Sequence, residues 1–198
     1  MPVKSTLDEI LQRLRATQQE LEQELDRMLA EKRAQFRYHL QRGRVVFEQG
    51  VRYWHREQRV GVWRYLRQAR LSHILSAPVI YGMIVPLVIL DLSITLYQQI
   101  CFRIYRIPRI SRSRYLVIDR HRLGYLNVIE KLNCVYCGYG NGIVEYAREV
   151  IARTEQYWCP IKHARRTPDP HRHTQLFFDF GDAEAYRRDL EKVRREWR

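Results

Sequence analysis

The chain consists of long polar stretches around a single extended apolar one, residues 74–102. This run contains no lysine or arginine, and as one helix rising 1.5 Å per residue it would reach about 43 Å. The hydrocarbon core of a bilayer is about 30 Å thick, so the run is long enough to cross a membrane. We therefore predict a membrane-embedded helical segment at 74–102.

Three residues inside this run disfavour a straight crossing. Pro78 and Pro86 each lack a backbone donor and bend a helix, and Asp91 would be costly at mid-depth unless it faced protein or water. The pattern favours a re-entrant hairpin bent near Pro86 over a single span. A buried helix of a soluble domain is the third alternative.

The N-terminal region, 1–43, carries a heptad pattern. Its seam residues alternate steps of four and three, which predicts a helix over 5–41 that forms a coiled coil. The seam consists of Leu7, Leu11, Leu14, Gln18, Leu21, Leu25 and Met28. This pattern favours a homo-oligomer formed through residues 7–28; the alternative is an amphipathic helix that packs on the protein's own body.

Residues 44–73 interleave arginine with tyrosine and tryptophan, including Trp54 and Trp63. Aromatic side chains of this kind favour the headgroup level of a membrane, while arginine reaches lipid phosphates. We predict a basic, aromatic interfacial helix over 44–73. The alternative is a helix that binds RNA or DNA, with the same aromatic rings stacked on bases.

From residue 103 the pattern is that of a small domain of mixed secondary structure, 103–198. Apolar spacing predicts helices over 122–133, 143–157 and 182–197, and 115–118 is a short β-prone run. The predicted fold class is therefore mainly α, with a small α(+β) C-terminal domain. We find no internal repeat that would indicate a repeat architecture.

The placement of charge then changes the picture. The net charge is +13, and most of it flanks the apolar run: residues 42–73 hold eight arginines against two glutamates, and residues 103–122 hold seven arginines against one aspartate. Each such residue contributes about 1 kcal/mol at an anionic membrane surface. A nucleic-acid-binding chain has no reason to place arginine on both sides of an uncharged stretch, so nucleic acid is the less favoured partner.

The two basic blocks also favour one location. A single crossing would leave one block on the translocated side, whereas the positive-inside rule favours both on the cytoplasmic side. We therefore predict a membrane protein whose soluble parts are cytoplasmic and whose partner is anionic lipid. The residues predicted to bind lipid are Arg64, Arg67, Arg70, Arg103, Arg106, Arg109, Trp54 and Trp63.

Three cysteines and one histidine carry the clearest chemical signal. Cys134 and Cys137 are separated by two residues and followed by glycine, an arrangement that resembles the knuckle of zinc ribbons and rubredoxin-like sites. Cys159 and His163 lie four residues apart further on, so the four side chains would form a closed Cys3His tetrahedron. The predicted cofactor is structural Zn²⁺. Iron, alone or in an iron–sulfur cluster, and buried thiols without metal are the alternatives.

These patterns predict a membrane-anchored, zinc-binding adaptor or scaffold with an unidentified protein partner. No catalytic residue is predicted: the chain lacks a phosphate-binding glycine loop, a Gly-x-Ser-x-Gly elbow and a His-Glu-x-x-His pair, so an enzyme is the less favoured class. One alternative is a membrane-associated redox protein that uses the iron or iron–sulfur site. The other is a basic protein that binds nucleic acid.

Overall fold

The computed structural model describes residues 2–41 and 44–197, without the side chains of residues 2–8 and 11. The described chain is mainly helical, as predicted, and divides into two compact units, residues 1–61 with 122–127 and residues 62–121 with 128–198. Its elements are α1 (Pro2–Gln35), β1 (Tyr38–Gln41), β2 (Arg44–Phe47), α2 (Gln49–Glu57), α3 (Val62–Gln68), α4 (Leu71–Gly82), α5 (Ile84–Tyr105), α6 (Val128–Trp158) and α7 (Ala183–Arg195). Short 3₁₀ turns lie at Arg112–Arg114, Arg120–Arg122 and Arg172–Leu176.

In the first unit, α1 ends earlier than the heptad pattern predicts. The chain turns at Arg37, whose φ of 48° is left-handed, and enters an antiparallel hairpin that pairs Tyr38 with Phe47. The predicted helix over 5–41 therefore extends past the end of α1 and wrongly includes strand β1. The seam residues Leu7 and Leu11 lie outside the described side chains.

A buried histidine in the first unit packs between aromatic side chains of β2 and of residues 122–127. His55 of α2 packs edge-on against Phe47 and Tyr125, with ring centroids 4.9 and 5.1 Å away. Gly124 permits this packing, because a Cβ at that position would lie 3.0 Å from the Cβ of His55. The segment 122–127 is thus held to the first unit by ring packing.

The sequence predicted one helix over the basic stretch 44–73, but this stretch is divided into several elements. It consists of strand β2, the short helices α2 and α3, and the first turn of α4. Arg70 is extended, with φ −67° and ψ 142°, and forms the N-cap of α4. Gly61 lies in the break between α2 and α3. Glycine has a lower helix propensity than every residue except proline.

The apolar run continues through its prolines without reversing. Met83, between α4 and α5, keeps right-handed helical angles, φ −63° and ψ −10°. Pro86 then falls in the first turn of α5, where its missing N–H removes no hydrogen bond within α5. The predicted hairpin near Pro86 is therefore not the observed arrangement, and α4–α5 is one bent helical segment.

The second unit is built around α6, a single helix where the sequence predicted two. Gly138 and Gly142 lie inside it and carry the backbone of residues 115–118 across its surface: a Cβ on Gly142 would lie 2.7 Å from the carbonyl oxygen of Tyr115. This packing offsets the low helix propensity of glycine, about 1 kcal/mol per residue. The buried core of this unit consists of Phe102, Ile107, Ile110, Ile143, Tyr146 and Val150.

The last helix, α7, begins where the sequence predicted. Asp182 is its N-cap, and its side chain accepts a hydrogen bond of 2.9 Å from the backbone N–H of Ala185. A capped start of this kind stabilises a helix by about 1 kcal/mol. The only isolated bridge in the described chain, Ile161 with Phe178, lies shortly before this helix.

Candidate functional site: an apolar helix face between two arginine groups

The helices α4 and α5 expose apolar side chains along their whole length. The segment Leu71–Tyr105 is the one helix in the described chain that is long and apolar enough to cross a membrane, and only 6% of its most apolar stretch is buried. A core helix of a soluble protein would be mostly buried. We use the name apolar face for ten of these side chains, each more than half exposed: Leu71, Leu75, Val79, Met83, Val85, Ile89, Leu92, Leu96, Ile100 and Ile104.

The opposite side of α5 packs on α6. Buried Gln98 donates to the hydroxyl of Tyr146 at 2.9 Å and accepts the backbone N–H of Ile110 at 2.8 Å. Further towards the C-terminus of α6, the hydroxyls of Tyr97 and Thr154 are 3.0 Å apart. These contacts define the inner side of α5, which faces protein, whereas the side chains of the apolar face are exposed.

An ion pair lies on the inner side near the middle of this segment. Arg112 binds Asp91 through two hydrogen bonds, of 2.9 and 2.5 Å, and the hydroxyl of Tyr139 donates to the same carboxylate at 2.9 Å. The Asp91 side chain is 12% exposed and the Arg112 side chain 44%. The sequence indicated that Asp91 would need a protein or water partner. The sequence pattern did not identify Arg112, 21 residues further on, as that partner.

The predicted lipid-binding arginines lie at both ends of the apolar face. Arg64, Arg67 and Arg70 are exposed on and just after α3, and Arg103 and Arg106 are exposed at the end of α5. Arg109 is exposed too but donates to the side chain of Gln99 at 2.8 Å. We call the first three the leading arginines and Arg103 with Arg106 the trailing arginines.

The two predicted tryptophans belong to different units. Trp63 at the start of α3 is 80% exposed, an unusual position for so large an apolar side chain. Because α3 directly precedes α4 in the same unit, Trp63 lies on the chain beside the leading arginines. Trp54 is exposed on α2 of the first unit.

The structure does not bring the four predicted metal ligands together. Cys134 and Cys137 lie one turn apart inside α6, whereas Cys159 lies just after its end. Cys159 lies 22 positions after Cys137, which corresponds to about 33 Å of helix. A Zn–S bond is about 2.3 Å, so Cys159 and His163 cannot complete a site with the first pair in this structure.

The regular helical backbone at Cys134 and Cys137 is the physical reason for this difference. A knuckle needs a turn that points two thiolates inward, and α6 is regular helix through both cysteines, with Asn141 donating to the carbonyl of Cys137 at 2.9 Å. Among the described residues, no group of three or more His, Cys, Asp or Glu side chains is close enough to hold a metal ion. Burial, followed by the nearby carboxylate of Glu155, raises the pKa of the Cys159 thiol, which favours its protonated form.

A buried carboxylate that the sequence analysis missed joins two segments of the second unit, α6 and the 172–176 turn. Glu149 of α6 accepts from Arg172 at 2.6 Å, from Arg153 at 3.1 Å and from the ring of His173 at 3.2 Å. Burial alone would raise the pKa of Glu149, but the hydrogen bonds from His173, Arg172 and Arg153 outweigh it and lower this pKa from 4.5 to about 2. The sequence signal was the spacing Glu149 to Arg153 on one helix; the 172–173 partners carry no such signal.

Gln156 extends this cluster to α7. Its amide nitrogen donates to the backbone carbonyls of Val193 and Glu196, at 2.9 and 2.8 Å, so its oxygen is the acceptor that faces Nδ1 of His173 at 2.6 Å. His173 and Gln156 are almost fully buried. With so little solvent access the cluster holds α6, the 172–176 turn and α7 together, and we assign it a structural role.

Comparison with known proteins found no matching family model, no similar curated protein and no similar solved structure. The side-chain geometry above is therefore what supports a function.

Proposed function

We propose that this protein is a membrane-anchored adaptor without catalytic activity, held on anionic lipid by the apolar face of α4–α5. One observation carries the proposal: ten exposed apolar side chains along α4–α5 lie between two groups of exposed arginines. Soluble monomers rarely expose apolar patches larger than a few hundred Å². Lipid is the partner that complements both parts of this surface, since its acyl chains match the apolar face and its phosphates match the arginines.

The energy available from such a surface is large. Fully burying one Leu, Ile, Val or Met side chain contributes about 1.5–3 kcal/mol, and these side chains are about half to three-quarters exposed. Ten of them would contribute on the order of 10 kcal/mol on transfer into hydrocarbon. Five arginines at an anionic surface would add about 1 kcal/mol each, which favours membranes with acidic lipids.

The long helix α1 supports the adaptor part of the proposal. Leu14, Leu21, Leu25 and Met28 lie at heptad spacing, and all four are more than half exposed. Exposed apolar seams of this kind are buried when two or more helices wind together. We propose that α1 pairs chains at the membrane and that an unidentified protein binds the assembly. Zinc does not enter the proposal, because its four predicted ligands are not gathered.

Membrane fractionation of matched variants tests this proposal. The first variant replaces three members of the apolar face: Ile89→Asn, Leu92→Asn and Leu96→Asn. The control replaces three similarly exposed side chains on α6: Leu132→Asn, Val144→Asn and Ile151→Asn. Both sets remove comparable exposed apolar area, so a difference between them reports on the face rather than on general hydrophobicity. Each full-length chain is tested by carbonate washing of membranes and by flotation with vesicles of neutral or acidic lipid.

We expect the wild type and the α6 control to stay with the membranes and to float best with acidic vesicles. The apolar-face variant should move to the soluble fraction with unchanged circular dichroism. Equal retention of all three chains would contradict the assigned face. Salt-sensitive RNA or DNA binding without lipid binding would instead support the nucleic-acid alternative.

A further inference from the structure

We propose that α4–α5 lies in the plane of the membrane, with its apolar face in one leaflet, and does not cross it. This inference rests on the proposed function and specifies how the same surface meets lipid. It concerns only the second unit, residues 62–121 with 128–198, which contains α3 to α7. Three independent features of that unit support it.

The first feature is the position of Arg112. Residue 88 is the middle of the segment Leu71–Tyr105, and Asp91 lies three residues further, or about 4.5 Å along the axis. Arg112 is bound to Asp91 and is 44% exposed. In a crossing, this half-exposed guanidinium would sit close to the centre of the hydrocarbon. In the plane of the membrane, it lies on the side of α5 that faces away from lipid.

The second feature is the charge carried by α6. The contacts of Gln98 with Tyr146 and of Tyr97 with Thr154 place the C-terminal half of α5 beside the C-terminal half of α6. Over that length α6 carries Glu145, Arg148, Glu149, Arg153 and Glu155. A bilayer around the whole of α5 would also surround these groups. Charged side chains at membrane depth are rare and occur mainly inside bundles or water-filled cavities.

The third feature is the angular separation of the two sides of α5. At 100° per residue, Val85, Ile89, Leu92 and Leu96 fall within about 60° of one another. Asp91 and Gln98 lie about 130–150° from the middle of this group and are buried against protein. An in-plane helix inserts one such side about 5–10 Å below the headgroups and leaves the other in contact with protein or water. A helix that crosses a bilayer alone needs lipid-compatible side chains all round.

This placement also explains the charge distribution. The leading arginines and the trailing arginines lie at opposite ends of α4–α5, so in an in-plane arrangement both groups reach the headgroups of the same leaflet. A crossing would carry one group to the far side against the positive-inside tendency. The predicted hairpin would have placed both arginine groups on one side of the membrane. The bent but non-reversing backbone at Met83 gives the same result in an in-plane arrangement, without a re-entrant turn.

Single-cysteine labelling of the full-length chain tests the inference. In a background with Cys101, Cys134, Cys137 and Cys159 replaced by alanine, one reporter is introduced at a time. Ser72→Cys lies at the start of α4 and Ser113→Cys lies beyond the end of α5, and both positions are exposed. Ser93→Cys is exposed next to Leu92 and reports on lipid contact. Sealed membrane vesicles of either orientation are treated with a membrane-impermeant maleimide.

We expect the Ser72 and Ser113 reporters to be labelled from the same side, the cytoplasmic one, and the Ser93 reporter to be labelled only after detergent is added. Labelling of the Ser72 and Ser113 reporters from opposite sides would overturn the in-plane inference and leave the membrane function standing. Free labelling of the Ser93 reporter in intact vesicles would overturn the proposed function itself. The two failures are therefore distinguishable.

A second measurement avoids the cysteine replacements. The wild-type chain carries a different peptide tag at each terminus, and sealed vesicles of known orientation are treated with protease. Loss of both tags from the same orientation supports the in-plane arrangement. Protection of one tag and loss of the other contradicts it.

Discussion

The carboxylate of Glu149 gives a quantitative prediction about acid stability. Its pKa is about 2 in the folded chain against 4.5 for an unperturbed glutamate. A difference of one pKa unit corresponds to 1.36 kcal/mol, so ionised Glu149 contributes about 3 kcal/mol to the free energy of unfolding at neutral pH. Because the folded pKa is lowered, this contribution is fully present above pH 4.5 and is lost as the pH falls towards 2. At pH 3 about 2 kcal/mol of it should have disappeared.

The substitution Glu149→Gln isolates this contribution. Urea unfolding in non-ionic detergent, followed by tryptophan fluorescence and repeated between pH 7 and pH 3, gives the free energy of unfolding of each chain. We expect the variant to be less stable by about 3 kcal/mol at pH 7, and the gap to narrow to about 1 kcal/mol at pH 3. Glu145→Gln is the control, since Glu145 is exposed on the same helix and lies 3.8 Å from its ion-pair partner Arg148. A gap between wild type and Glu149→Gln that stays constant with pH would refute the reasoning.

Two further predictions concern packing and assembly. Gly142→Ala should lower the free energy of unfolding by about 2 kcal/mol, because the new Cβ would meet the Tyr115 carbonyl at 2.7 Å; Gly140→Ala, whose Cβ would meet only the flexible end of a leucine at 3.3 Å, should be close to neutral in the same urea titration. The pair Leu21→Asn and Leu25→Asn should reduce the mass in detergent measured by light scattering, since it places polar groups in the α1 seam. An unchanged mass would contradict a coiled coil through α1.

The apolar run was readable from sequence because its signal is local. A stretch of 29 residues without lysine or arginine indicates a lipid-facing or buried helix whatever its neighbours do. The start of α7 was readable for the same reason, since the cap at Asp182 and the apolar spacing after it act within one turn. The heptad pattern of α1 was also local, although its C-terminal limit was not.

The features that sequence could not provide depend on distant parts of the chain. In the sequence, the glycines of α6 indicate a turn. In the structure they are helical, and residues 115–118 cross directly over Gly138 and Gly142. Cys134 and Cys137 lie inside this helix, which continues to Trp158, and Cys159 lies just after its end. Arg112, the ion-pair partner of Asp91, and Arg172, a partner of Glu149, lie 21 and 23 residues away, without a periodic signal to connect them. Long-range packing therefore decided the chemistry of both charged clusters.

The division of α5 into a lipid side and a protein side is the claim on which this account depends most. A nitroxide is attached in turn at each position from 84 to 100 in the full-length, membrane-bound chain, and its collision rates with oxygen and with a water-soluble nickel chelate are compared. We predict that oxygen accessibility oscillates with the 3.6-residue helical period, with maxima at Val85, Ile89, Leu92, Leu96 and Ile100 and minima at Asp91 and Gln98. Uniformly high oxygen accessibility, or high nickel accessibility along the apolar face, would contradict it.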